Sequence, residues 1–146
     1  MKINIKRNVK CGERFDNNVW YSKETLSKAI AEYRERNKYN GGDVVCSSDS
    51  SSLPLEQFII IDPLWIVGRM IDIYDDSIDI MVNPTSKPAQ KIVNLLINKT
   101  NQFRIRIRSI AKDINPETRE IKNMKIICFD IGLVDSFNKG DENQCL

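Results

Sequence analysis

Residues 103–111 show the clearest alternation of apolar and polar side chains in this sequence. Three apolar residues, Phe103, Ile105 and Ile107, are interleaved with three basic ones, Arg104, Arg106 and Arg108. Because successive side chains of a strand point to opposite faces, the pattern predicts a strand with its apolar face on the core and its arginines in solvent. The chain is therefore expected to contain a half-buried sheet.

Further strands are predicted by short runs that alternate or are rich in β-branched and aromatic residues. These runs cover residues 3–5, 44–46, 57–62, 64–74, 77–82 and 125–134. Asp75 and Asp76 separate two of them and predict the tight turn of an antiparallel hairpin.

Two helices are predicted between these strands. The first covers residues 23–36, with Ser22 as its N-cap, and the second covers residues 87–99, with Pro88 tolerated in the first turn. This order of elements predicts an α+β domain in which two main helices pack on a mainly antiparallel sheet or open β-barrel. The expected core consists of Leu26, Ile30, Ile60, Trp65, Val67, Ile80, Ile92, Leu96, Ile105, Ile107, Ile127 and Phe129.

A chain of 146 residues can bury one core and is most simply a single domain. We expect a basic N-terminal arm with a short strand at residues 1–14, the α+β domain at residues 15–137, and a polar tail at residues 138–146. No apolar run approaches the roughly 20 residues of a membrane span, and the first residues lack the apolar segment of a signal peptide. We therefore expect a protein made and kept in a cytoplasm.

Composition excludes several kinds of chemistry. The chain has no histidine, so it is not a histidine-dependent enzyme. The four cysteines have no CxxC spacing, and acidic residues such as Asp62 and Asp79 are explained by turns and solvated faces, so no metal or cofactor is expected. A net charge of +2 is too small to indicate nucleic-acid binding by itself.

Four short segments occur in an order that is typical of one known family. Residues 18–21 before the first helix resemble the motif Asn-Gly-Arg-x-Tyr, and residues 42–46 resemble Gly-Glu-Leu-Asp-His. Residues 83–87 resemble the turn Thr-Pro-x-Gly-Lys, and residues 129–137 resemble the closing Asp-Leu-Val-x-x-Pro-Ser-Phe. Together they resemble the prohead proteases of tailed phages, capsid-maturation serine proteases whose fold is shared with herpesvirus assemblins.

The resemblance implies that the catalytic residues of that family are missing here. Cys46 occupies the position of the catalytic histidine, and Arg106 occupies the position of the serine nucleophile. Ser109 is close in sequence, but a hydroxyl without a neighbouring base is not a nucleophile. Cys46 remains an alternative nucleophile if Arg106 supplies a cation that stabilises its thiolate.

A fold retained without its chemistry predicts a structural role. We expect a non-enzymatic auxiliary or cementing protein of the virion, made in the host cytoplasm, whose partner is the major capsid protein. The expected partner-binding residues are Arg104, Arg106, Arg108, Lys2, Lys6 and Arg7, because guanidinium groups pair readily with carboxylates. The alternatives are a divergent protease using Cys46 or Ser109, a nucleic-acid-associated protein of the capsid interior, self-association, and a row of arginines that only keeps an exposed strand soluble.

Overall fold

The computed structural model describes residues 1–15, 17–39, 42–46, 54–136 and 143–145. Its strands are β1 (Lys2–Lys6), β2 (Val44–Cys46), β3 (Ile66–Ile73), β4 (Ser77–Val82), β5 (Phe103–Ile114), β6 (Ile121–Leu133) and β7 (Asn143–Cys145). They form one sheet in the order β1-β4-β3-β2-β6-β5-β7. The strand predicted from the alternation in residues 103–111 is therefore confirmed, as β5.

The sheet is mainly antiparallel, as predicted, but it is mixed rather than purely antiparallel. Between the described strands, the β2–β6 and β5–β7 pairs are parallel and the other pairs are antiparallel. Beyond the end of β1, a parallel bridge joins Arg7 to Ile105 of β5, and the amide of Asn8 donates to the carbonyl of Ile105 at 2.9 Å. This bridge, which we call the β1–β5 seam, brings the segment after β1, an edge strand, into contact with β5, the last strand but one at the other side of the sheet.

Three α-helices are present in the described part of the chain: α1 (Lys23–Asn37), α2 (Leu55–Phe58) and α3 (Lys87–Asn98). Both predicted helices are confirmed, and each begins after a serine whose Oγ accepts a backbone N–H three residues later, Ser22 from Thr25 and Ser86 from Ala89. Helix α1 packs on β6, where the ring of Tyr33 meets Phe129 edge-on with centroids 5.5 Å apart. No helix in the described ranges is long and apolar enough to cross a membrane.

The predicted core is largely correct, with three exceptions. Leu26, Val67, Ile80, Leu96, Ile105, Ile107 and Phe129 are buried in one cluster, with Ile30 and Ile92 packed against it. Ile60 is 61% exposed, Trp65 is 36% exposed, and Ile127 is only half-buried. Residues 57–62 were predicted as a strand, but Pro54 instead precedes the single turn of α2, and the apolar run that follows has no neighbouring strand.

The ends of the chain contribute to the domain more than the sequence indicates. Within the N-terminal segment, Ile5, Val9 and Phe15 are at most 4% exposed and belong to the core. Within the polar tail, Asn143–Cys145 pair with Ser109–Ala111 of β5. Phe137, which belongs to the closing motif of the resemblance, lies outside the described residues.

Candidate functional site

The arginines of β5 do not form the solvent-facing row that their spacing predicts. Arg106 is completely buried and Arg108 is 4% exposed, so for these two residues the predicted orientation is wrong. The physical reason lies on the neighbouring strand, where Asp130 of β6 is the register partner of Arg106 and is itself completely buried. A buried charge needs a partner, and Asp130 supplies it.

Asp130 holds both guanidinium groups. Its Oδ1 accepts from Nη2 of Arg108 at 2.5 Å, and its Oδ2 accepts from Nε of Arg108 at 3.1 Å and from Nε of Arg106 at 3.4 Å. Nη1 of Arg108 donates to the carbonyls of Phe58 and Ile60 at 3.1 and 3.0 Å. The two arginines and Asp130, which we call the Asp130 cluster, thus fix the backbone around α2 onto β5.

Electrostatics explain why Arg108 stays charged in this buried position. Burial acts to lower the pKa of Arg108, but the hydrogen bonds and the negative charge of Asp130 act the other way and leave that pKa raised. The contact is a bidentate one between a planar guanidinium and a carboxylate, which is the strongest geometry for such a pair. The cluster can therefore organise structure, but none of its three groups is a nucleophile or a general base of the kind a serine protease uses.

Cys46 lies next to this cluster. Strand β2 runs parallel to β6, so that Val45 is the register partner of Asp130 and Cys46 that of Ile131. Burial raises the pKa of the Cys46 thiol, and the charge of Asp130 raises it further. A cation would have the opposite effect, so the environment of Cys46 favours the neutral thiol over the reactive thiolate.

Ser109 is 1% exposed and follows a bulge in β5 between Arg108 and Ser109. It is therefore buried at the point where β5 begins to pair with β7. Neither of the two alternative nucleophiles, Cys46 and Ser109, has a histidine to activate it, because the chain contains none.

A cavity of about 290 Å³ opens beside the Asp130 cluster, and we call it the α2 cavity. Its walls include Val45, Cys46, Ile60, Trp65 and Arg108. The resemblance pairs Cys46 with Arg106, whereas the β5 arginine that lines this cavity with Cys46 is Arg108.

An exposed apolar surface borders the α2 cavity, and the sequence analysis missed it. It consists of five large side chains that are between 36% and 61% exposed: Leu55, Ile59, Ile60, Leu64 and Trp65. We call this surface the apolar rim. Contiguous exposed apolar surface is typical of protein contacts. The available sequence signal was Pro54 at the start of an apolar run, which favours an N-terminal helical turn over a central strand.

The other predicted partner-binding residues divide into exposed and buried ones. Arg7 is 5% exposed, and its guanidinium donates to the hydroxyl of Tyr21 at 2.6 Å, so the prediction of a surface role for Arg7 is wrong. Lys2 and Lys6 are exposed and Arg104 is half-buried. Because the seam pairs Arg7 with Ile105, Lys6 and Arg104 occupy adjacent positions across it. We call Lys2, Lys6 and Arg104 the seam patch.

A second buried carboxylate, Asp43, lies between α1 and β3. Its Oδ2 accepts from the Tyr33 hydroxyl at 2.5 Å, and its Oδ1 accepts from the amide of Met70 at 2.7 Å. Burial raises the pKa of Asp43 in spite of these hydrogen bonds. Gly42 allows this arrangement, since a Cβ at that position would lie 2.5 Å from Cγ2 of Ile66.

The side chains that could bind a metal ion do not form a metal centre in the part of the chain that the structure describes. No three His, Cys, Asp or Glu side chains of the described residues are grouped so that they could hold an ion. Asp43 and Asp130 are each satisfied by protein donors.

The mixed sheet with its long β5–β6 pair, together with the two serine-capped helices, defines a prohead-protease-like fold. The particular solved structure that it matches is the capsid assembly protease gp21 of bacteriophage T4, with a TM-score of 0.53 over 89% of this chain and 80% of that chain. The two sequences are 16% identical, so the match establishes the fold that they share. No protein-family model matches this sequence, and no curated protein matches it.

Proposed function

We propose that this chain is a non-enzymatic virion protein that binds the major capsid protein as an auxiliary or cementing subunit. The observation that carries the proposal is the Asp130 cluster. It places two buried, ion-paired arginines on β5, at and next to the position where the resemblance aligns the nucleophile. A fold without its nucleophile and base is retained for its surface.

The Asp130 cluster also supports a structural role because burying its charged groups costs free energy. Two guanidinium groups and one carboxylate removed from water carry a desolvation penalty of several kcal/mol each, which their ion pairs offset in part. Such an arrangement holds β5, β6 and the backbone around α2 in one geometry.

The alternative of a divergent protease depends on Cys46 or Ser109. The raised pKa of Cys46 and the burial of Ser109 both speak against activation. The observation in favour of this alternative is that Cys46 lines the α2 cavity. A cleavage assay separates the two functions.

The seam patch is the proposed contact for the capsid protein. Lys2 pairs with Asp79 at 3.8 Å but is more than half exposed, so its charge remains accessible to a partner. An exposed ion pair contributes roughly 0–1 kcal/mol, so binding has to be shared with apolar contacts or multiplied over many copies. The apolar rim provides such contacts in this fold.

Co-sedimentation with capsid shells tests the proposed contact. Shells assembled from the major capsid protein of the phage that encodes this chain are pelleted with the wild type and with a variant in which Lys2, Lys6 and Arg104 are all replaced by Ser. We expect lower occupancy for the variant and a weaker dependence of its occupancy on salt. The control replaces three exposed lysines elsewhere on the surface, Lys87 and Lys91 of α3 and Lys99 just after it. Equal occupancy of wild type and seam-patch variant would contradict the proposed contact.

A further inference from the structure

A second cavity, of about 440 Å³, opens between the C-terminal half of α1 and strands β3 and β4. We call it the α1 cavity. Its volume falls within the roughly 300–1,000 Å³ that ligand-binding cavities occupy. It shares no lining residue with the α2 cavity, so it is a separate place on the molecule.

The rim of the α1 cavity is basic. Arg34, Lys38 and Arg69 all line it and are all exposed. Arg34 pairs with Asp72 at 3.5 Å and Lys38 with Glu35 at 2.9 Å, and in both pairs each side chain is at least half exposed. Exposed pairs of this kind contribute little, so both cations can exchange their carboxylate for one from a partner.

The inner wall of the α1 cavity has a different character. Met70 is buried and Met81 is half-buried, and both give it an apolar surface. Asp43 also lines the cavity, but both of its oxygens are engaged by Tyr33 and by the amide of Met70. An incoming carboxylate is repelled from Asp43 and is held at the rim, while an apolar group can enter and contact the methionines.

We propose that the α1 cavity binds a short segment of a partner protein in which an acidic residue lies next to an apolar one. The inference rests on the proposed function, since it gives the chemistry of the segment that the partner presents. Nucleic acid fits this place less well, because it needs an extended basic surface, whereas here Asp43 lines the cavity and two of the three rim cations are paired with Asp72 and Glu35.

Methyl NMR on the intact chain tests the site without any capsid. The chain has four methionines, of which Met70 and Met81 line the cavity while Met124 is buried in β6, away from it. With methionine methyls labelled, an acetylated Glu-Leu-Glu amide is titrated into the protein. We expect saturable shifts of the Met70 and Met81 methyls, an unmoved Met124 methyl, and weaker binding as salt is added.

Two substitutions and two control ligands test whether the peptide binds in the α1 cavity. Arg69→Gln should weaken the peptide at least threefold, whereas Lys91→Gln on α3 should leave its affinity unchanged. Absence of shifts at Met70 and Met81, or equal shifts with an acetylated Gln-Leu-Gln amide or with inorganic phosphate, would overturn the proposal. Since no capsid protein is present, such a failure is distinct from a failure of the co-sedimentation experiment, which tests the proposed function itself.

Discussion

Arg108 and Asp130 face each other across β5 and β6 in a two-point contact, with Nη2 to Oδ1 at 2.5 Å and Nε to Oδ2 at 3.1 Å. Asp130 also accepts from Arg106, so one carboxylate contacts two buried guanidinium groups. The contact lies beside Cys46, where the resembled proteases keep their catalytic base. The Arg108–Asp130 contact therefore links the fold to the proposed loss of protease activity.

Removing the carboxylate of this cluster should be strongly destabilising. Asp130→Asn keeps the shape of the side chain but leaves two buried guanidinium groups without a counter-charge, and we expect a loss of about 3–5 kcal/mol in the free energy of unfolding. Asp72→Asn is the control, because its pair with Arg34 is half-exposed and should contribute at most about 1 kcal/mol. Urea unfolding measures both, and equal stabilities of the two variants would contradict the role of the cluster.

Asp43 and Asp79 should make the free energy of unfolding depend on pH in opposite directions. Burial raises the pKa of Asp43, so its favourable contribution is present below the unfolded pKa of about 3.9 and is lost as the pH rises through the folded value. The hydrogen bond from Asn4 has the largest effect on Asp79 and lowers its pKa; burial opposes it, but the hydrogen bond from Tyr74 and the charge of Lys2 add to the lowering. The contribution of Asp79 is therefore present above the unfolded pKa and lost as the pH falls through the folded one.

The measurement is the free energy of unfolding of wild type, Asp43→Asn and Asp79→Asn at pH values from about 3 to 7. Relative to Asp43→Asn, the wild type should become less stable as the pH rises. Relative to Asp79→Asn, it should become more stable over the same change. Parallel pH profiles for the two variants would show that the environments of Asp43 and Asp79 are not as described.

The apolar side chains of the core and of the apolar rim should respond differently to truncation. Phe129 is completely buried, so Phe129→Ala should cost about 3–5 kcal/mol, whereas Ile60→Ala at a 61% exposed position should change stability by about 0.5 kcal/mol or less. Thermal unfolding compares them. If Ile60→Ala is as harmful as Phe129→Ala, the segment after Pro54 is part of the core after all.

The β5 arginines show which features of this fold can be predicted from the sequence and which cannot. Alternation identifies the strand and separates its two faces, and serine caps locate α1 and α3. The alternation does not show whether the polar face of β5 is solvated. Burial of that face depends on Asp130, which lies 22 residues after Arg108 in the sequence and becomes its neighbour only through the β5–β6 register.

The candidate site was predicted in part for a similar reason. The resemblance pairs Cys46 with Arg106, but it is Arg108 that lines the α2 cavity with Cys46. The resemblance contains no information about the apolar rim or the α1 cavity, since both depend on how α1 and α2 pack on the sheet. An apolar run such as residues 57–62 is compatible with a strand or a buried helical turn, and here only the packing decides between them.

Cys46 and Cys128 should be poorly reactive in the folded protein. The pKa of Cys46 is raised by burial and by Asp130, and burial raises that of Cys128, so both thiols have little thiolate at neutral pH. Iodoacetamide labelling followed by peptide mass mapping should modify both more slowly in the native state than in urea. Faster labelling of Cys46 in the native state would indicate an activated thiolate and would favour the protease alternative.

The most direct test of the central claim, binding without cleavage, is intact mass spectrometry of the capsid and scaffold proteins after incubation with this chain. The account predicts that every partner keeps its full mass while the chain co-sediments with the shells in a fixed ratio, and that Cys46→Ala and Ser109→Ala change neither result. Partner fragments that appear with the wild type and disappear with either variant would contradict it.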